Sequence, residues 1–182
     1  GAPVDILETL QSFSSDPDPT IVLLSSGPGS AVYSEHSFLA RRMGIPLVQG
    51  GDLLMHNDAI YLKTVSGLEK VEVIYNRIAD QWLDPMVFRR DSVLGVPGLV
   101  HCIRQGTVVV VNSIGSQLAD DRALLPLAPT IIRFYLGENP VLPGLTTYWL
   151  GDLDQRELVL SNLAAYSIRP LHGEKVLLGG GT

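Results

Sequence analysis

Apolar residues in this chain fall in short β-branched runs separated by stretches with helical spacing, and that alternation predicts an α/β fold. Two runs, Val71–Tyr75 and Thr107–Val111, stop abruptly in polar sequence. The long connection between them has helical spacing in its second half. A strand, crossover helix and strand within one sheet imply a parallel, right-handed arrangement. Ile21–Leu24 predicts another buried strand and Pro46–Val48 a short one. Val4, Ile6, Leu7, Leu10 and Phe13 place a short amphipathic helix over Val4–Phe13, and Ser14–Thr20, with two prolines, is a linker. A helix over Ala31–Met43 ends at Gly44, suited to the C′ position.

Leu53–Met55 and Ala59–Leu62 flank His56-Asn57-Asp58 as a hairpin would, with Lys63–Lys70 as the connection to the next strand. After Asn112, a helix is expected over Gln117–Leu127, its first turn holding Asp120 and Asp121 near the positive end of the dipole, and Pro129–Leu136 extends the helical region. Glu138–Gly144 reads as a linker. Thr146–Leu150 is an expected strand, Asp154–Ala164 a helix and Tyr166–Pro170 another strand, before the chain runs through a glycine-rich end. The fold class is therefore α/β: a Rossmann-like parallel sheet flanked by helices, with an inserted β-hairpin. Its expected parts are an N-terminal helix and linker (1–20), the Rossmann-like domain (21–137) and a second, shorter domain (138–182).

Composition narrows the function classes. Of 182 residues, 46% are hydrophobic, enough for a packed core. Thirteen basic against nineteen acidic residues give a net charge of −6, and no basic cluster exceeds a pair, so nucleic acid is not an expected partner. No apolar run approaches the roughly 20 residues of a membrane span. Cys102 is the only cysteine, which excludes an intrachain disulfide and suits a reducing compartment. A cytoplasmic protein without membrane association is the expectation.

In open parallel sheets, ligands bind beyond the carboxyl ends of the strands. Here those ends carry Ser25–Ser30, with Glu35 and His36 at the start of the following helix, then Asn76, Arg77 and Asp80, then Asn112, Ser113 and Ser116. The backbone of Ser26, Gly27, Gly29 and Ser30 could hold an anion, or form a plain tight turn. Glu35 and His36 suit a site, or a surface and a packing role. Arg77 could grip a carboxylate or phosphate bidentately, or form a local surface pair with Asp80. Asn112 could serve a ligand or simply turn the chain. Cys102, between apolar neighbours, is a buried structural thiol. No zinc, haem or nucleophile-triad constellation exists, and the acidic residues are too scattered to assemble a Mg²⁺ site.

Three stretches taken together, SSGPGSAVYSEHSFLARRMGIPLVQGGDL, VEVIYNRIADQWLDP and DSVLGVPGLVHCIRQGTVVVVNSIGS, resemble the N-terminal part of the circularly permuted ATP-grasp proteins, relatives of glutathionylspermidine synthase and the carboxylate–amine ligases. The resemblance runs from about Pro3 to Gly180. It implies a pre-ATP-grasp domain followed by the beginning of an ATP-grasp domain, the remainder of which, with its acidic metal ligands, would lie beyond Thr182. The implied chemistry is ATP- and Mg²⁺-dependent ligation of a small-molecule carboxylate and an amine through an acyl phosphate, by a fragment inactive alone. The implied roles are catalysis for Arg77 and Asp80. Substrate binding would fall to Ser26, Gly27, Gly29, Ser30, Glu35, His36, Asn112 and Ser116, and nucleotide binding to Arg122 and Arg169. Where such proteins usually carry an acidic–Lys pair, this chain has Asp121-Arg122, and where they carry Lys-Pro it has Arg169-Pro170. Arginine keeps the charge without the compact ammonium, which leaves open an alternative: a degenerate relative acting as a small-anion or protein-binding module.

Overall fold

A computed structural model describes residues 2–142, 144–171 and 177–178. The chain divides into two compact units, 1–117 and 118–182, each described by itself below. The division falls well before the Glu138–Gly144 linker.

The first unit is built on a parallel sheet. Helix α1 (Ala2–Gln11) leads to strand β1 (Ile21–Leu24), helix α2 (Tyr33–Met43) and strand β2 (Leu47–Val48). Strand β3 (Leu53–His56), β4 (Ala59–Thr64) and β5 (Gly67–Lys70) follow, then β6 (Val73–Asn76). A short helix α3 (Asp80–Leu83), helix α4 (Leu99–Gln105) and β7 (Val109–Val111) complete the unit. The sheet order is β2-β1-β6-β7, with every pairing parallel. β1 and β6 are its interior strands and are buried along their whole length, so their sequences run apolar without alternation.

The period of two nevertheless divides the core. Ile21, Leu23, Val73 and Tyr75 face one way, packing with Leu10 of α1 and with Ala40 and Met43 of α2. Val22, Leu24, Ile74 and Val110 face the other way, against Leu99 and Cys102 of α4 and against Leu53, Ile60 and Leu62. Cys102 is thus a buried thiol, and burial pushes its pKa up.

Three sequence expectations change. Lys63–Lys70 is no plain connection: β5 pairs with β4, so β3, β4 and β5 form a three-stranded antiparallel meander. Its first turn is the two-residue Asn57-Asp58, both at positive φ, which matches the twist of a hairpin. The second change concerns Gln117–Leu127. A 3₁₀ turn occupies Ser116–Asp120, and Asp121 Oδ1 then accepts the Ala123 N–H at 2.8 Å, ending the regular pattern. The helix proper, α5, runs Leu124–Leu136. The third is Thr146–Leu150, which is not a strand. The Trp149 N–H goes to Gln155 Oε1 (2.8 Å) rather than to a neighbouring strand. Helix α6 (Leu153–Ser161), N-capped by Asp152, and the short pair β8 (Ser167–Ile168) and β9 (Leu177–Leu178) complete the second unit.

Candidate functional site

Each parallel strand hands its carboxyl end to a polar residue, and the polar groups at β1, β6 and β7 are tied together. At the end of β1, Ser25 is fully buried and its Oγ shares a 2.9 Å hydrogen bond with Nδ1 of His36. The same Oγ accepts the Gly27 N–H at 3.2 Å. Ser25 thus joins the loop to α2. Gly27 has φ +90°, a backbone conformation that glycine adopts without the strain a side chain would bring. His36 is 1% exposed. Burial, then the nearby Arg77 charge, hold its pKa below the usual 6.5, with Glu35 offsetting in part.

At the end of β6, the Arg77 N–H continues the parallel ladder to the Leu24 carbonyl at 2.9 Å, which fixes the residue beside β1. Its Nη2 donates to Glu35 Oε1 at 2.5 Å and its guanidinium lies 5.8 Å from the Tyr75 ring centroid. Arg77 therefore pairs with Glu35 on α2, not with Asp80. Asp80 Oδ2 instead accepts the Gly115 N–H at 2.7 Å, linking the loop after β6 to the loop after β7. Asn76 and Asn112 lock these two strand ends. Asn112 Nδ2 donates to the Asn76 carbonyl at 2.9 Å, and Asn76 Oδ1 accepts the Ile78 N–H at 2.9 Å. Asn112 takes this place at φ 59°, a left-handed conformation that asparagine tolerates.

The structure thus gathers Glu35, His36, Arg77, Asp80 and Asn112 at one end of the sheet. Ser26 and Gly29 line the same loop, and Ser30 turns the chain into α2, its carbonyl accepting the Tyr33 N–H at 3.1 Å. Ser116 lies in the 3₁₀ turn after β7, its N–H on the Ser113 carbonyl. Arg122 and Arg169 belong to the second unit. Arg122 Nη1 donates to the Pro170 carbonyl at 3.1 Å, and Arg169, exposed, directly follows β8. His172, Gly173 and Glu174 lie outside the described residues.

Ser25 and Asn76, expected at the strand ends without an assigned role, and Asp84, which was not expected, hold the site. The signal for Ser25 and Asn76 was available, since each is the first polar residue after an apolar run. Asp84 had none. Its buried carboxylate accepts the N–H groups of Met86 (2.9 Å), Gly98 (3.2 Å) and Val100 (2.9 Å), pinning the long loop to the start of α4.

A parallel α/β sheet with polar side chains at the carboxyl ends of its strands is the arrangement in which open α/β proteins bind their ligands. Residues 2–180 match the sequence family described as circularly permuted ATP-grasp type 2, and the chain belongs to that family. It is 44% identical over 158 residues to an uncharacterized protein of Mycobacterium tuberculosis, a match covering 86% of this chain and 28% of the relative. An uncharacterized Synechocystis protein is 40% identical over 169 residues, covering 92% of this chain and 35% of the relative. A Frankia alni protein bearing the name "Putative glutamate--cysteine ligase 2-3" is 37% identical over 156 residues, covering 86% of this chain and 18% of the relative. The chain thus spans about a third or less of the curated relatives it matches.

ATP-grasp proteins generally use ATP and Mg²⁺. Among the described residues no three His, Cys, Asp or Glu side chains cluster as metal ligands, and Glu35 and Asp80 are engaged by Arg77 and the Gly115 N–H. Among the described residues no helix is long and apolar enough to cross a membrane.

Proposed function

We propose that the first unit is the substrate-side wall of an ATP-grasp-type carboxylate–amine ligase, with Arg77 gripping the carboxylate that is to be activated. Family membership supports the ligase class, and the Frankia name agrees with it. The observation that carries the assignment is the posture of Arg77. Its backbone is fixed in the ladder to β1, and one terminal nitrogen is held by Glu35. Beyond Glu35 and the Tyr75 ring, its guanidinium has no partner among the described residues. A planar donor fork held this way suits bidentate recognition of a carboxylate. Ser26, Gly27, Gly29, Ser30, Glu35, His36, Asn112 and Ser116 would complete the substrate-binding surface. Asp80 would set the spacing between the two loops by its grip on Gly115. Arg122 and Arg169 would meet the nucleotide, and the remainder of the ligase, including the magnesium ligands, would be supplied from outside this chain, which alone would not turn over.

Arg77→Ala tests the reading. The Arg77 and Glu35 side chains are 27% and 54% exposed, so this ion pair contributes only about 0–1 kcal/mol to stability. A charge-assisted hydrogen bond to substrate is worth about 1.5–3 kcal/mol. The variant should keep its fold and lose about ten- to a hundredfold in carboxylate binding, read as a rise in KM in the natural polypeptide that carries this sequence. An unchanged KM would remove Arg77 from the site.

One observation favours the second reading, a binding module without ligase activity. Arg122, at the position where lysine is usual, donates to the Pro170 carbonyl, a structural contact. Calorimetric titration of Mg-ATP separates the two: the ligase reading requires binding by the natural polypeptide, and the module reading requires none.

A further inference from the structure

From the carboxyl end of β1 through the first turn of α2, from that of β6 through α3, and from that of β7 to Ser116, Arg77 is the only Lys or Arg. It stands against two carboxylates, Glu35 and Asp80. His36 adds no positive charge at neutral pH, because burial and then the Arg77 charge lower its pKa. A ligand whose only charge is a carboxylate therefore meets a cation that Glu35 already neutralises, and like charges side by side repel. The two carboxylates are held differently. Asp80 is tied to the Gly115 N–H, whereas the Glu35 side chain is 54% exposed and gives only Oε1 to Arg77. Its Oε2 accepts no hydrogen bond among the described residues. Arg77 and Glu35 thus present a positive and a negative group side by side, both open to solvent. An α-amino acid carries the complementary pair, an ammonium and a carboxylate attached to one carbon.

We propose that Glu35 is the specificity residue of this site and selects an α-amino acid: it accepts the ammonium group while Arg77 grips the neighbouring carboxylate, and it repels acids that lack the amino group. The inference rests on the carboxylate site proposed at Arg77 and adds the chemical class of the acid. A ligand with both charges makes two charge-assisted contacts where a bare carboxylate makes one contact and one repulsion. Removing the amino group leaves Glu35 facing the ligand without a partner, the situation in which a polar site discriminates most strongly.

The test compares each common α-amino acid with the acid that lacks its amino group. Binding to the natural polypeptide that carries this sequence is titrated by calorimetry, and hydroxamate formation with Mg-ATP and hydroxylamine is read on the same samples. For at least one pair the amino acid should bind about ten- to a hundredfold more tightly than its partner. Glu35→Gln should remove that preference by weakening the amino acid alone. Equal weakening of both members by Glu35→Gln would overturn the proposal, since Glu35 would then only position Arg77. Equal binding of both members by the wild type, or binding of neither, would overturn it too. Selective binding without hydroxamate would remove the ligase reading and keep the amino-acid site, whereas equal hydroxamate yields from both members would do the reverse.

Discussion

Ser25 and His36 meet at the carboxyl end of β1, and neither can move without disturbing the loop between them. Ser25→Ala would leave a buried imidazole nitrogen and the Gly27 N–H without their partner, a loss of about 1–3 kcal/mol for a buried polar group left unpaired. Chemical denaturation should register it as a lowered midpoint with an unchanged slope. His36 adds a pH dependence. Because burial and the Arg77 charge hold its folded-state pKa below 6.5, the unfolded chain binds more protons as the pH falls past 6.5. Its contribution to stability is therefore complete above pH 6.5 and is lost progressively as the pH falls through the folded-state value. Thermal unfolding between pH 7.5 and 5 should show this decline, and His36→Asn, which cannot titrate, should flatten it. An equal slope in both proteins would assign the acid sensitivity elsewhere.

At the scale of elements, the loop from Asp84 to Gly98 shows how a site is held from behind. Three backbone N–H groups converge on the buried Asp84 carboxylate, so Asp84→Ala strands all three and should cost about 3 kcal/mol or more. Gly95 makes the same point sterically. A Cβ there would lie 2.2 Å from the backbone carbonyl oxygens of Trp82 and Leu83, and backbone cannot step aside as a side chain can. Gly95→Ala should therefore destabilise the unit by about 1–3 kcal/mol as overpacking does, read from urea unfolding. Neither feature was legible in the sequence, because both depend on chain segments more than ten residues apart that only the fold brings together. The strands were legible, since β1, β6 and β7 bury continuous apolar runs that end at polar residues. The partner of Arg77 was not: sequence proximity suggested Asp80, while the parallel ladder sets Arg77 beside α2 and Glu35. Local side-chain capture also misled, since Asp121 and Gln155 take backbone N–H groups that a continuous helix and a strand would have used.

On the scale of the whole molecule, the two units differ in how completely they bury their apolar residues. The first has a buried core on both faces of its sheet, whereas among the described residues of the second only Val159 is buried. The central claim is that Arg77 receives a carboxylate for activation, and trapping with hydroxylamine tests it most directly. The natural polypeptide carrying this sequence is incubated with Mg-ATP, a panel of small carboxylates and hydroxylamine, which converts an acyl phosphate to a hydroxamate. The account predicts hydroxamate with at least one acid in the wild type, reduced about ten- to a hundredfold by Arg77→Ala at subsaturating acid. Equal yields from both proteins, or none from the wild type with any acid, would contradict it.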